Sequence, residues 1–460
     1  MKKAWKFELE TMQNSQPVIL EEEEQGWTFA EQIEATDDVM IKMKWHSNVP
    51  GSGATEHVII AAIQDTENMG YDVAEAEKLM EEGIAYSDSG DIIGMARLSS
   101  RIFNRLSNAP KIPGHPYWRY KIYDSFEKVL EDTELPFYNY DTTNPAYLES
   151  TYYGWLAQIC AGAAGTAVEG YTTENIRRAF GEIVGYVRKP NTYNDDITYE
   201  YAFLKALERK RQNLMAADIA EEWVALVPMG WSAEDVALKN IKLGIYPPES
   251  GRQNNPYREW IGAQMRGAVC GMVAPGNLQK AARYAYMDGT VSHYNNGVLG
   301  EVFNALLVSL AYVKSDVREI VEEVINCIPK QSEYYDFIAT ALTYCRKYTS
   351  WEEAWKASKP KFIKYNWIHA YPNAMAEVIA LWYGEGDFDK TIHISCMQGY
   401  DVDCNAAQIA TVIGIISRKK TLTSKWTKDI GDVLNTYMRS YKEISIKKLA
   451  EFTVSLGSNK

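Results

Sequence analysis

The stretch Val302-Phe303-Asn304-Ala305-Leu306-Leu307-Val308-Ser309-Leu310-Ala311-Tyr312 returns apolar side chains at helical spacing. That period lines one face of an α-helix with residues for a core. Ala374-Met375-Ala376-Glu377-Val378-Ile379-Ala380-Leu381-Trp382 repeats the pattern, and Ala202-Phe203-Leu204-Lys205-Ala206-Leu207 shows it again. Ala161-Gly162-Ala163-Ala164-Gly165 puts small side chains into another such segment. Small residues let helix backbones approach closely, so this helix is predicted to be central and tightly packed. Long alternating β-patterns are absent from about Ala146 onward, and no strict repeat period is visible. Residues 146–460 are therefore predicted to form one all-α domain.

Residues 1–145 have a different character and are predicted to be an extension of mixed or mostly helical structure. They contain an acidic run, Glu21 to Glu24, which reads as a solvated face. Val39-Met40-Ile41-Lys42-Met43-Lys44-Trp45 is strand-like, and Pro50-Gly51-Ser52-Gly53 is a turn. Val73 to Gly83 has a helical pattern and ends in a glycine of the kind that closes helices. Three prolines keep Pro110-Lys111-Ile112-Pro113-Gly114-His115-Pro116 from being helical throughout.

Bulk properties narrow the function. The chain has 460 residues, 46% of them hydrophobic, enough for a sizeable core. A net charge of −13 argues against an extended nucleic-acid footprint and against anionic membranes. A local site for a phosphorylated small molecule stays open. Six cysteines (Cys160, Cys270, Cys327, Cys345, Cys396, Cys404) form no CxxC pair and read as buried free thiols. The opening MKKAWKFELETMQ has no apolar segment behind its lysines, and no run is long enough to span a membrane. The expected location is cytoplasmic. Tyrosine (31) and tryptophan (13) far outnumber phenylalanine (12), which suits a site that stacks on a ring and also hydrogen-bonds it. It equally suits half-buried positions in a large helical protein.

Two acidic clusters each precede a helical pattern. One is Tyr193-Asn194-Asp195-Asp196-Ile197-Thr198-Tyr199-Glu200, leading into a helix expected to begin near Tyr201. The other is Gly399-Tyr400-Asp401-Val402-Asp403-Cys404-Asn405-Ala406-Ala407, leading into Gln408 to Gly414. Helix capping explains one aspartate in each cluster. The second repels the first, and a hard divalent cation would offset that repulsion. From spacing alone, caps and a metal site remain equal alternatives.

Five ordered segments resemble the ADP-ribosylglycohydrolase family. Gly399 to Cys404, followed by Asn405-Ala406-Ala407, resembles its Gly-Gly-Asp-Thr-Asp-Thr loop, and Asn194-Asp195-Asp196-Ile197 its Thr-Asp-Asp-Thr motif. Gly262-Ala263-Gln264-Met265-Arg266 with Ala274-Pro275-Gly276 resembles its Gly-Ala-x-Met-Arg…Ala-Pro segment. Ala285-Tyr286-Met287-Asp288-Gly289-Thr290-Val291-Ser292-His293 is similar to its Ala-x-x-Asp-Ala-x-x-Thr-His segment. Ala161-Gly162-Ala163-Ala164-Gly165-Thr166-Ala167-Val168-Glu169 resembles its Gly-Asp-Ala-Leu-Gly-x-x-x-Glu opening. Together they cover roughly residues 150–420 and leave the first 145 outside.

The resemblance implies an orthogonal all-α bundle with a Mg²⁺ site of one or two ions, Mn²⁺ and Ca²⁺ being the alternatives. Asp195, Asp196, Asp401 and Asp403 would be the ligands, with Asn194 and Cys404 at flanking ligand positions. Glu169, with Asp195 and Asp403, would carry the chemistry. Gly262, Ala263, Gln264, Met265, His293 and Tyr400 would contact substrate, and the missing side chain of Gly262 would let ribose or diphosphate approach. The implied reaction is metal-assisted cleavage of an N- or O-glycosidic bond in an ADP-ribosyl or ribosyl compound. Four motif positions depart from the family: Gly162 replaces an aspartate, Asn194 and Ile197 replace hydroxyl residues around the aspartate pair, and Cys404 closes the second loop. Asn194 retains an oxygen ligand, whereas Ile197 has none and Cys404 is soft. Arg266 reads as a structural ion-pair partner.

Two other functions fit the residues. One is a carbohydrate glycosidase on a non-nucleotide sugar, for which Trp367 to Asn373 and His293 to Gly297 supply rings and amides. The other is a non-enzymatic binding or structural protein with a decayed metal site.

Overall fold

Helix Asn296–Ala311 has apolar or small residues all the way round, and every one of its residues is buried. Such a helix belongs in the middle of a domain. The computed structural model, which describes residues 1–27, 29–418 and 422–458, packs it among Leu278–Gly289, Ala268–Met272 and Val402–Ser417. Ala370–Gly384 and Glu333–Lys347 close the core on another side. The domain is all-α, as its periodicities predict.

Helices Ala146–Gly165 and Val402–Ser417 lie along each other in close contact, and small residues make this possible. A Cβ on Gly414 would fall 2.3 Å from the Tyr153 carbonyl oxygen, and one on Gly165 would fall 2.5 Å from the Asp403 Cα. Ile409, Val412 and Ile413 are fully buried beside this seam, each contributing on the order of 2 kcal/mol through burial. The contact fixes where the start of Val402–Ser417 lies relative to Glu169. The C-terminal helix Ile446–Gly457 packs on Ala146–Gly165 as well, and Trp155 Nε1 donates to Thr453 Oγ1 at 3.0 Å.

Two readings of the first 145 residues need correction. Val39 to Trp45 is the end of helix Ala30–Trp45, not strand. Its short apolar–polar alternation fits either period, and the decisive feature is Trp45, the one buried side chain of this helix. Gly83 does not close a helix; it lies inside Met80–Ser89, which ends at Gly90 with φ +72°. A Cβ on Gly83 would overlap the Trp45 ring at 1.9 Å. This glycine is therefore a notch for the indole. The turn at Pro50 to Gly53 joins the short antiparallel strands Ser47–Asn48 and Thr55–Glu56, with Ser47 opposite Glu56. The proline-rich segment is non-helical until the short 3₁₀ turn Pro116–Arg119.

A second small hairpin, Val433–Asn435 with Glu443–Ser445, is fastened to the loop before the first aspartate pair. The Asn435 backbone N–H donates to Thr192 Oγ1 at 2.9 Å. All six cysteines are buried and free. Among the described residues no helix is long and apolar enough to cross a membrane.

Candidate metal centre

Both acidic clusters begin helices, but they use the helix ends differently. The first helix is Asp195–Lys210, so it starts six residues earlier than the expected Tyr201. Its N-cap is Asn194, whose side-chain oxygen accepts from the Ile197 N–H at 3.4 Å. The capping is thus done by Asn194, and neither Asp195 nor Asp196 is needed for it. In the second cluster Asp401 occupies the N-cap position of Val402–Ser417 yet makes no capping hydrogen bond.

The loop ahead of Asp401 is firmly set. Gly399 has φ +75° and Tyr400 φ +69°, the latter in the left-handed region that a tyrosine rarely adopts. A Cβ on Gly399 would lie 2.0 Å from the Tyr171 carbonyl, so only glycine fits. The Tyr400 N–H donates to Tyr171 O at 3.0 Å, and the Gly170 N–H donates to Tyr400 O at 2.9 Å. These bonds hold the segment carrying Glu169 against the one carrying Asp401 and Asp403. Asn373 reinforces the loop, accepting through Oδ1 from the Asp401 N–H at 3.2 Å and from Asn405 Nδ2 at 2.7 Å.

The result is a buried gathering of carboxyls. Ligand atoms of Asp401, Asp403 and Cys404 lie within 4.8 Å of one another. The Cys404 thiol points at Asp196 Oδ1, 3.4 Å away. Burial first, then the charges of Asp195, Asp403, Glu200 and Asp401, pushes the Asp196 carboxyl well above its ordinary range. Glu169 is raised in the same way, by burial and then by Asp403, Asp401, Asp195 and Glu56. Asp401 is raised by burial and by Asp403, Asp195 by burial, and Asp403 goes up to about 6. At 4.8 Å separation and an effective dielectric constant of about 20, two such charges repel by roughly 3 kcal/mol.

Several of their oxygens are also orphaned. Asp196 Oδ2, Asp401 Oδ1 and Asp403 Oδ1 are buried with no hydrogen-bond partner, as is Asn194 Nδ2. Unpaired buried carboxylate oxygens are costly, and a hard divalent cation is what such a donor set accommodates. The residues present therefore fit one. Gly162, which stands where the family has aspartate, faces this place: a Cβ there would meet Asn194 Nδ2 at 3.5 Å and Ala407 Cβ at 3.6 Å.

The Gly262 to Met265 segment approaches the aspartate cluster with its side chains engaged inward. Gln264 donates to Glu377 at 3.0 Å and accepts from Tyr334 at 2.9 Å, deep in the core. Met265 Sδ lies 3.8 Å from Cys404 Sγ. The space a Gly262 Cβ would need is filled by Glu234 Oε1, 1.8 Å away, with His293 Cε1 at 2.9 Å. Glu234 is buried and pushed up to about 7, burial raising it, Arg266 opposing, and Asp195 adding to the rise. His293 is wholly buried, with Nδ1 bonded to Ser292 Oγ at 2.7 Å and Nε2 unpartnered. Burial holds its imidazole neutral. Arg266 is structural: it pairs with Asp288, donates to Ser292 Oγ at 3.0 Å and stacks its guanidinium over Trp223 at 4.8 Å. Tyr400 sets its ring edge-on against Trp355 and Phe362, on the far side of its loop.

The extension supplies what the motifs did not mark. The 50–53 turn packs on the segment that carries Glu169, where Tyr171 Oη donates to Ser52 O at 3.1 Å and Arg188 donates to Gly51 O. Its second strand ends in Glu56, buried, accepting from Trp231 Nε1 at 3.1 Å and from Ser47 Oγ at 3.2 Å. Nothing in the motifs singles out Glu56, Trp231 or Glu234. The amides expected to cradle a sugar are bonded within the protein: Asn295 and Asn296 donate to Glu259, and Asn373 donates to Trp367 O and His369 O.

Comparison with known proteins agrees with the fold. A profile of the family described as ADP-ribosylglycohydrolase matches residues 143–453. An uncharacterized protein of Archaeoglobus fulgidus is 22% identical over 306 residues, covering 62% of this chain and 93% of the relative. A solved chain described as an ADP-ribosylglycohydrolase-related protein complex is 15% identical, with a TM-score of 0.48, covering 68% of this chain and 99% of that one. With the profile spanning most of its length, the chain belongs to the ADP-ribosylglycohydrolase family.

Proposed function

We propose that this chain is a metal-dependent glycohydrolase that cleaves an N- or O-glycosidic bond of an ADP-ribosyl or ribosyl compound. The observation that carries this reading is the set of buried aspartate oxygens that neither helix capping nor any other protein group uses. Asp195, Asp196, Asp401 and Asp403 would hold Mg²⁺ or Mn²⁺, with Asn194 and Cys404 beside them. A cation bound there supplies Lewis acidity and lowers the pKa of a coordinated water.

The protein's own groups would do the rest. Glu169 lies beside the aspartates, and its carboxyl is raised by burial and by their charges; it would protonate the departing group. Asp195 and Asp403 would face the sugar, where positive charge develops as the glycosidic bond breaks. The 47–56 hairpin is bonded to Tyr171 and Trp231 and would shield a bound sugar from bulk water. Neutral His293, with its free Nε2, offers a hydrogen-bonding atom without adding charge.

A screen of ribosyl, ADP-ribosyl and plain glycosyl conjugates, with Asp195→Ala and Asp401→Ala as controls, tests the proposal. Release of the aglycone from a ribosyl or ADP-ribosyl conjugate, lost in both variants, is the expected result. Turnover confined to non-nucleotide sugars would contradict the substrate class. Turnover retained in both variants would contradict the metal assignment.

A further inference from the structure

A cavity of about 480 Å³ lies between the extension and the catalytic domain, away from the aspartates. Tyr71, Lys111 and Trp118 of the extension form one wall, and Arg252, Arg258 and Tyr294 stand on the other. The chain carries 61 acidic against 48 basic residues, yet no Asp or Glu lines this space. The cations are unequally occupied. Arg252 is paired with Glu249 at 2.7 Å. Arg258 donates from Nη1 to the Asn255 carbonyl at 3.1 Å and has no carboxylate partner among the described residues. Lys111 sits over the Trp118 ring, 4.1 Å from its centroid, and has no carboxylate partner among the described residues. The nearest buried carboxylate, Glu259, is already taken by Tyr117, Asn295 and Asn296 beneath the floor.

A guanidinium with no carboxylate partner is a donor for phosphate oxygens, and Lys adds a second point charge. Tyrosine and tryptophan rings add apolar faces for a flat base, and the volume suits a molecule of nucleotide size. The extension also gains a purpose, since half the wall belongs to it. We infer that this cavity binds a nucleoside phosphate through Arg258 and Lys111, with its base among Tyr71, Trp118 and Tyr294, at a site separate from the aspartate cluster. The inference does not depend on the proposed hydrolysis.

Calorimetric titration of the full chain in EDTA tests it, using ADP, GDP, adenosine and pyrophosphate as probes. ADP and GDP should bind saturably, adenosine and pyrophosphate at least tenfold more weakly. Arg258→Ala should weaken ADP at least tenfold. The exposed Lys111→Ala should do the same, and it decides the matter if Arg258→Ala fails to fold. Asp195→Asn should leave the affinity within about twofold. Three results would overturn the inference: absence of saturable binding, binding that survives the cation variants but is lost in Asp195→Asn, or pyrophosphate matching ADP.

Discussion

Gly165 and Asp403 meet backbone to backbone: a Cβ on the glycine would lie 2.5 Å from both the Cα and the amide nitrogen of the aspartate. The last turn of one helix thereby sets the height of the first turn of another, and with it the position of a carboxyl. Gly165→Ala should push the two apart, lowering stability by about 2 kcal/mol or more. Urea denaturation measures the loss, and Mn²⁺ binding should weaken in the same variant. Unchanged values for both would show that the contact is not needed.

Crowded carboxylates make an opposite prediction for stability without metal. Asp403→Asn removes one charge, which Asp195 repels and which raises the neighbouring Asp401 carboxyl. In EDTA at pH 8 the variant should be more stable than the parent by about 1–2 kcal/mol. With saturating Mg²⁺ the order should reverse, because the parent gains binding energy that the variant lacks. Thermal melts under the two conditions check both signs.

Tyr171 fastens the extension over the cleft through its hydroxyl and Ser52 O at 3.1 Å. Tyr171→Phe deletes that bond and little else. Hydrogen exchange across residues 47–56 should quicken, and KM should rise severalfold with a smaller change in kcat. Glu56→Gln should weaken the Trp231 bond and lower turnover about tenfold. Exchange unchanged in the first variant would remove the covering role assigned to the hairpin.

Glu377 offers a pH test distant from the aspartates. It is fully buried, and burial pushes its carboxyl up to about 8, against the opposing bonds from Gln264 and Asn304. An unfolded glutamate titrates near ~4.3. The folded chain therefore binds the extra proton, and the stability this confers is full below that pH and is lost as pH rises through about 8. Melting temperatures from pH 5 to 8.5 should fall more steeply for the parent than for Glu377→Gln, by at most about 1.4 kcal/mol per pH unit. Parallel curves would rule out a raised carboxyl.

The helices were legible because their apolar residues recur at a strong period, as in 302–312 and 374–382, and the aspartate pairs stood out as charges at helix starts. Four things were hidden. The strand-like alternation of Val39 to Trp45 is too short to separate two periods, and its helix is held by one indole seated over a glycine 38 positions away in sequence. Glu56 ends a two-residue strand in a segment with no motif, so only the folded hairpin shows it close enough to Glu169 to raise its carboxyl. Gly262 looked like room for a ligand, but the room is used by Glu234, which depends on how a separate helix docks. Side-chain direction also escaped the motifs, since Gln264 turns to Glu377 and Tyr400 to Trp355.

The central claim is that the unpartnered aspartate oxygens form a divalent-cation site. Calorimetric titration of Mn²⁺ into the chelator-stripped protein, beside Asp401→Ala, addresses it directly. Saturable binding in the parent, lost in the variant, is the predicted result. No binding, or equal binding in both proteins, would contradict it.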